Sequence, residues 1–205
     1  MLNHNDYDVC LLLGNKEEYM EIFNIFKKKD NIIATTNKIE YDYNNCIEIA
    51  KIISNNNSNV IKEIKECVIN PNLYYERNKS KYKERGIDNS SNIDMVVWIG
   101  LVNCLIKNNC LCERDYKDEL EDFIYFMNSM NYGVKFDKEE LNENGYVADW
   151  CAELDKKLQP KNLCVGGVDI DSDSYVMFIC GRNTLEKLSQ LAKNINHNIT
   201  FASKL

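Results

Sequence analysis

Between residues 165 and 180, apolar residues first alternate with aspartates and then run without interruption. The alternation has the period of a half-buried strand, and the unbroken run 175–180 indicates a strand buried on both faces. Residues 171–174, Asp-Ser-Asp-Ser, favour a turn because short polar side chains bond the nearby backbone. Gly166 and Gly167 indicate a bulge or a close backbone approach. We therefore predict a β-hairpin around which the C-terminal half packs.

A second stretch, residues 93–106, is apolar almost all the way round a helix. A helix without a polar face is normally buried, so we expect this one, which carries Trp98, to lie beneath the sheet. Its start is predicted at Ser91, because a hydroxyl followed three residues later by the carboxylate of Asp94 is a capping signal. The helix is expected to end at Asn108.

Shorter patterns complete the C-terminal half. Helical periodicity predicts amphipathic helices at 118–130, 147–158 and 184–195, and β-forming runs predict strands at 110–116 and 199–202. Together with the hairpin, these elements indicate an α+β fold: a small, mainly antiparallel sheet covered by helices, with a helical N-terminal half.

The first ninety residues show helical periodicity. Helices are predicted at residues 7–13, 16–29, 43–54, 60–69 and 73–85. Pro71 is expected to stop the fourth of these helices. We expect a helical N-terminal region, residues 1–90, and an α+β core domain, residues 91–205, unless the two form one continuous globular unit.

Charge is distributed unevenly along the chain. The formal net charge of the 205 residues is −7, while residues 113–155 hold thirteen acidic residues against four basic ones. A negative field argues against non-specific binding to nucleic acid or to an anionic membrane. It suits a basic protein partner instead. The candidate residues for such a surface are Glu113, Asp115, Asp118, Glu119 and Asp122.

Nine cysteines would suit a disulfide-rich secreted protein, but residues 1–13 lack the basic start and long apolar core of a signal peptide. We therefore expect a cytoplasmic protein whose cysteines are reduced and serve as small core residues. Cys104, Cys110 and Cys112 lack the paired spacing of structural zinc ligands, so packing is expected of them too. No apolar run is long enough to predict a membrane span.

The aspartate–serine turn of the predicted hairpin is the main candidate for chemistry. Its residues are Asp169, Asp171, Ser172, Asp173, Ser174 and Tyr175. The alternating aspartates resemble the start of an EF-hand calcium loop, but the sixth position is serine instead of glycine and the twelfth is cysteine instead of glutamate. A hydrogen-bonded turn is the default interpretation, and Asp169, Asp171 and Asp173 are kept as metal candidates.

The sequence shows no complete catalytic set. The two histidines are His4, expected in a frayed terminus, and His197, expected in a solvated turn. A cysteine nucleophile needs a histidine in reach, and Cys180 with His197 is the one pairing considered. Positive charges in residues 77–85 would be scattered around a helix, which indicates a solvated surface. We predict no catalytic residue and no cofactor.

From about Ile93 onward the chain resembles a bacterial family of unknown function. The matching pieces are Val97–Ile99, Glu113–Asp118 and above all Asp169–Tyr175, which reads D-I-D-S-D-S-Y. The resemblance covers roughly the C-terminal half. It implies an intracellular bacterial protein, with no established activity or catalytic residues to carry over.

Charge and composition favour a non-enzymatic, acidic protein-binding module, for example one like a toxin-neutralising immunity protein. The alternative is a metal-dependent or small-molecule enzyme with the aspartate turn at its site, whose signature is a pocket opening onto those carboxylates with the pKa of at least one of them strongly shifted. A purely structural or oligomerisation role is the third hypothesis, and the oligomeric state is left open.

Overall fold

The computed structural model describes residues 43–88, 91–130 and 133–205. The helices predicted at 7–13 and 16–29 lie outside these residues. The described helices are α1 (Asn44–Ile53), α2 (Ser58–Ile69), α3 (Pro71–Arg77), α4 (Lys79–Glu84), α5 (Ile93–Lys107), α6 (Leu120–Ser129), α7 (Val147–Leu158) and α8 (Arg182–Lys193). The strands are β1 (Cys112–Asp115), β2 (Leu163–Val168), β3 (Ser174–Gly181) and β4 (Ile199–Phe201).

The four strands form one sheet in the order β1-β3-β2-β4, and every neighbouring pair is antiparallel. Strands β2 and β3 are the predicted hairpin, with Val168 opposite Val176. Strand β3 lies inside the sheet and its residues 176–179 are buried, so the prediction of a strand buried on both faces is confirmed. The predicted α+β class is confirmed as well.

One face of the sheet belongs to the larger of two cores, here the Trp98 core. Val168, Val176 and Phe178 contribute to it from the strands, and helices α1 to α5 and α8 supply the rest. Trp98, on α5, is 1% exposed, which confirms the predicted burial of this apolar helix. The described helices α1 to α4 therefore pack in the same layer as α5.

The opposite face of the sheet belongs to the smaller core, here the Trp150 core. Val165, Met177 and Ile179 point into it because successive residues of a strand face opposite sides, and α6 and α7 cover them. The sheet is thus buried between two helical layers.

Two glycines let these layers approach the middle of the hairpin. The register of β2 against β3 runs without a break through Gly166 and Gly167, so the predicted alternative of a bulge is wrong and that of a close approach is right. A Cβ on Gly166 would lie 2.6 Å from the ring of Phe178. A Cβ on Gly167 would lie 2.8 Å from Cα of Ala202.

Helix α2 ends at Ile69, just before Pro71, as predicted, and Pro71 also begins α3, because the side chain of Asn70 accepts the Leu73 N–H and proline needs no donor in the first turn. Two other local predictions in the helical half are wrong. The helix predicted at 73–85 is two short helices, which meet at Asn78. Helix α5 is capped by Asn92, not Ser91.

The tyrosines of α3 and α4 face inward. Tyr74, Tyr75 and Tyr82 are buried, and the Tyr82 hydroxyl donates to the carbonyl oxygen of Val96 at 2.8 Å. The positive charges remain outside while the rings anchor both helices to α5.

Residues 41–205 form one compact unit, and the Trp98 core runs without interruption across residue 90. The division into residues 1–90 and 91–205 stays a prediction for the chain as a whole. None of the described helices combines the length and apolarity needed to cross a membrane.

Candidate functional site

The turn between β2 and β3 is held by its own side chains. The Asp171 N–H donates to Oδ1 of Asp169 at 3.0 Å, and the Ser174 N–H donates to Oγ of Ser172 at 3.1 Å. Asp171 has a left-handed conformation with φ of +57°, which aspartate tolerates better than most residues. The short polar side chains therefore build the hydrogen-bonded turn that their sequence indicates.

Asp169 ties this turn to the Trp98 core. The indole Nε1 of Trp98 donates to the carbonyl oxygen of Asp169 at 2.8 Å. On the other side, the Asp169 N–H donates to the carbonyl oxygen of Asn198 at 3.0 Å, and Asn198 Nδ2 donates to Oδ2 at 3.4 Å. Each carboxylate oxygen of Asp169 thus accepts a protein donor, which makes this residue a positioning element.

His197 lies in the Trp98 core and not in solvent as predicted. Its ring stacks on the Trp98 ring with centroids 4.2 Å apart, and its side chain is 12% exposed. Nε2 lies 3.2 Å from Oδ2 of Asp94 but outside hydrogen-bond geometry, so the contact becomes an ion pair only when the ring is protonated. Burial lowers the pKa of His197 and raises that of Asp94, while their mutual attraction opposes both changes.

Four of the six candidate turn residues form one wall of an open groove of about 660 Å³, here the turn groove. They are Asp171, Ser172, Asp173 and Ser174. Lys81 and Arg85 also line it, and Met95, Ile99 and Ile106 contribute apolar surface. The groove therefore opens onto the carboxylates of Asp171 and Asp173, which is one of the two features that the small-molecule alternative requires.

The other two turn candidates do not line this groove. Asp169 is engaged by Asn198, and the half-buried Tyr175 packs against the Trp150 core on the opposite face of the sheet. Burial raises the pKa of the Tyr175 hydroxyl. Successive residues of a strand face opposite sides of the sheet, so Ser174 lines the turn groove while Tyr175 packs on the other face.

A polar network lines part of the turn groove. Arg85 donates from Nη1 and Nη2 to the two oxygens of Glu113, at 2.8 and 2.5 Å, and from Nε to Oδ1 of Asn103 at 3.0 Å. This bidentate pair joins the end of α4 to β1. Nδ2 of Asn103 is buried and has no hydrogen-bond partner, so the network retains one free donor beside the groove.

The metal candidates are not assembled into a metal site. Across residues 43–88, 91–130 and 133–205, no group of three or more His, Cys, Asp or Glu side chains is placed to hold an ion. Both carboxylate oxygens of Asp169 accept hydrogen bonds from the protein, and the side chains of Asp171 and Asp173 are exposed.

The five residues predicted as an acidic surface have separate roles. Glu113 binds Arg85, and Asp118 forms a two-pronged ion pair with Arg114. Oδ1 of Asp115 accepts the Lys117 N–H at 2.9 Å and shapes the turn after β1. Glu119 and Asp122 are exposed, and Asp122 lies 3.7 Å from Arg114.

A second groove, here the acidic groove, lies where the β1–α6 connection meets the segment before α7, and its volume is about 550 Å³. Five carboxylates and two ammonium groups line it: Asp118, Glu119, Glu121, Glu139, Glu143, Lys117 and Lys138. Sequence reasoning named Asp118 and Glu119 but missed Glu139 and Glu143, about twenty residues further on. The charge count over residues 113–155 was the one signal that included them.

Exposed tyrosines border the acidic groove. Tyr146 is 53% exposed and lines the groove, and its ring centroid lies 6.3 Å from that of Tyr116. Nζ of Lys117 lies 5.0 Å from the centroid of the Tyr116 ring, so that ring face already accepts a cation. A surface of carboxylates beside aromatic ring faces favours the binding of lysine or arginine side chains.

The chain matches the model of one known protein family. A family model described as a domain of unknown function, DUF6630, matches residues 45–202. The chain belongs to this family. The match begins at α1, well before the resemblance recognised from Ile93 onward, so the DUF6630 domain includes the N-terminal helices of the Trp98 core. No curated protein and no solved structure matches the chain.

Proposed function

We propose that this DUF6630 protein is a protein-binding module that holds a basic segment of a partner in its acidic groove. The observation that carries the proposal is the concentration of five carboxylates against two ammonium groups along one groove. Carboxylates facing one concave surface raise the local concentration of a cationic partner and steer its approach.

The chain's own lysines indicate how a basic segment would bind. Nζ of Lys138 lies 3.1 Å from Oε1 of Glu121, and Nζ of Lys117 lies over the Tyr116 ring. A partner's lysine or arginine would make the same two kinds of contact with Glu119, Glu139 and Tyr146, all of which are exposed. Exposed ion pairs are individually weak, so the binding is expected to need several of them and to weaken with salt.

The eight described cysteines are free, which supports our proposal of a reducing, cytoplasmic environment. A cytoplasmic module that neutralises a basic toxin is one concrete form of this function.

The test uses a labelled peptide of alternating lysine and alanine, with fluorescence anisotropy of the full chain at low and high salt. The groove variant replaces Glu119, Glu139 and Glu143 with glutamine. Its affinity is expected to fall by roughly fivefold at low salt, because three lost charges at a few tenths of a kcal/mol each remove about 1 kcal/mol. A matched control variant replaces three exposed acids outside the groove, Glu66, Glu76 and Glu186, with glutamine.

The control separates the groove from the net charge of the protein. Both variants lose three negative charges, so only a local site makes the groove variant weaker than the control. Equal losses in the two variants, or binding that is insensitive to salt, would contradict the proposal.

Small-molecule binding in the turn groove is a second candidate function. Its support is the free Nδ2 donor of Asn103 beside a groove with apolar and carboxylate surfaces. Ligand-observed NMR with a panel of free amino acids, amines and nucleotides tests it, and Ser172→Trp, which would fill the groove, should abolish any signal. Signals that persist unchanged in that variant would place binding elsewhere.

A further inference from the structure

Two cysteines face each other across the central hairpin. Cys164 of β2 and Cys180 of β3 are direct cross-strand partners, and their Sγ atoms lie 4.0 Å apart. Both thiols are free. A disulfide needs an S–S distance of about 2 Å, so the two sulfurs are one side-chain rotation from bonding distance.

The backbone around this pair already has the spacing that a disulfide needs. The Arg182 N–H donates to the carbonyl oxygen of Asn162 at 3.1 Å, and hydrogen-bonded pairs recur at every second position of an antiparallel ladder. Cys164 and Cys180 are therefore a hydrogen-bonded pair, with Cα atoms about 5.5 Å apart. Disulfides span Cα distances of about 4.4–6.8 Å, so the strand spacing allows the bond, and the Cβ atoms must draw together to within about 4.5 Å to form it.

The surroundings of the pair favour ionisation of one thiol. The hydrogen bond between the two sulfurs, in which either can be the donor, lets one thiol of the pair ionise more easily than the other, and the Arg182 guanidinium acts to lower the pKa of Cys164. Nε of Arg182 is buried without a hydrogen-bond partner. By contrast, burial raises the pKa of Cys46 and Cys67 to about 12, which keeps those thiols protonated.

Access is available from the Cys180 side. Cys164 is buried, whereas Cys180 is partly exposed, close to the point where β3 passes directly into α8. A small oxidant can therefore reach the sulfur pair without unfolding the Trp98 core.

We propose that Cys164 and Cys180 are a redox modification site that forms a reversible disulfide on exposure to hydrogen peroxide. A thiolate of the pair attacks one peroxide oxygen, the O–O bond breaks, and a sulfenic acid and hydroxide result. The other sulfur then displaces the oxygen, which leaves as water, and forms the S–S bond. In sum, two thiols and one peroxide give one disulfide and two water molecules.

Peptide mapping of the full chain tests this site. Trypsin cleaves after Lys161 and Arg182, so one peptide, 162–182, carries both cysteines and no other. After peroxide treatment and alkylation, this peptide is expected to lose both alkyl groups and to be lighter than the unalkylated dithiol by two hydrogen atoms. Cleavage after Tyr175 should leave its two fragments joined, and dithiothreitol should separate them and restore both thiols.

Matched single variants identify the chemistry. Cys164→Ser and Cys180→Ser should each abolish the disulfide, and a dimedone probe should trap the remaining cysteine of the pair as a sulfenic acid in at least one of these two variants. Cys110→Ser, which removes a partly exposed thiol elsewhere, should leave disulfide formation unchanged. The proposal is overturned if peptide 162–182 of the wild-type protein keeps both alkyl groups, or if Cys180 alone is oxidised to sulfinic acid. Because wild-type mapping decides the outcome, a variant that fails to fold does not weaken the test.

Discussion

The two faces of the sheet differ in size and in the kind of group that they bury. Among the described residues, the Trp98 core contains thirty buried residues and the Trp150 core fourteen. Polar side chains are built into the Trp98 side, where Tyr82 bonds α5 and His197 stacks on Trp98. The layer over the Trp150 core is smaller and carries the acidic groove on its outer surface.

This difference indicates that the two layers of the DUF6630 domain have separate roles, one in stability and the other in binding. The larger core holds the hairpin in place through Trp98 and Asp169, and so supplies the stable frame. The smaller layer presents most of its charge to solvent, so changes there are expected to alter binding more than stability. The predictions below test this contrast.

The largest effect is expected from Trp98→Ala. It removes the indole, its hydrogen bond to Asp169 and the stacking surface of His197, and should lower the free energy of unfolding by about 3–5 kcal/mol. Trp150→Ala is the matched variant in the other core, where Nε1 donates to the carbonyl oxygen of Asn142 at 2.7 Å. Its cost is expected at the lower end of about 3–5 kcal/mol. Urea denaturation measures both, and a larger loss for Trp150→Ala would reverse the contrast between the cores.

A smaller effect is expected from adding a methyl group to either face of β2. Gly166→Ala would press on the Phe178 ring and Gly167→Ala on the backbone of Ala202, and each should cost about 1–3 kcal/mol. In a Phe178→Leu background, the cost of Gly166→Ala should shrink while that of Gly167→Ala stays the same. Equal coupling of both glycines to Phe178 would show that the two faces are not independent.

The smallest effect concerns pH and the Trp98 core. Burial lowers the folded-state pKa of His197 below 6.5, so the unfolded chain binds the proton more readily. The stability contributed by neutral His197 is complete above pH 6.5 and is lost as the pH falls toward the folded pKa. Asp94, which faces the ring, has a raised pKa and acts in the opposite direction, and the charge of Asp169 also favours protonated His197.

The measurement is denaturation of the wild type and of His197→Phe from about pH 5.5 to 7.5, where histidine titrates. Phenylalanine keeps the stack on Trp98 and removes the titrating group, so the wild type should gain stability with rising pH relative to this variant. An identical pH dependence in both proteins would show that His197 does not titrate differently on folding.

Much of the architecture could be predicted because local patterns and packing agree. The alternation before residue 171 and the apolar run after it define the hairpin, and the unbroken apolar surface of α5 requires burial. Predictions failed where a single side chain decided the outcome. Asn70 and Asn92 act as helix caps, but the sequence alone does not show which of several neighbouring polar residues is the cap.

The candidate sites were less predictable than the fold. Composition located the negative charge in residues 113–155, but an ion pair with Arg85 engages Glu113 outside the acidic groove. Asp118, paired with Arg114, lines that groove together with the distant Glu139. Charge on a sequence carries no information about which partner a folded neighbour supplies. Nearby residues of one strand also separate to opposite faces, as Ser174 and Tyr175 do.

By itself, the sequence determined the hairpin, the buried α5 and the excess of negative charge, because periodicity, apolarity and charge are properties of neighbouring residues. Only the tertiary structure decided that His197 lies against Trp98, that Cys164 faces Cys180, and that two grooves collect side chains from distant segments. Those outcomes depend on which elements pack together, and packing joins residues that no local pattern connects.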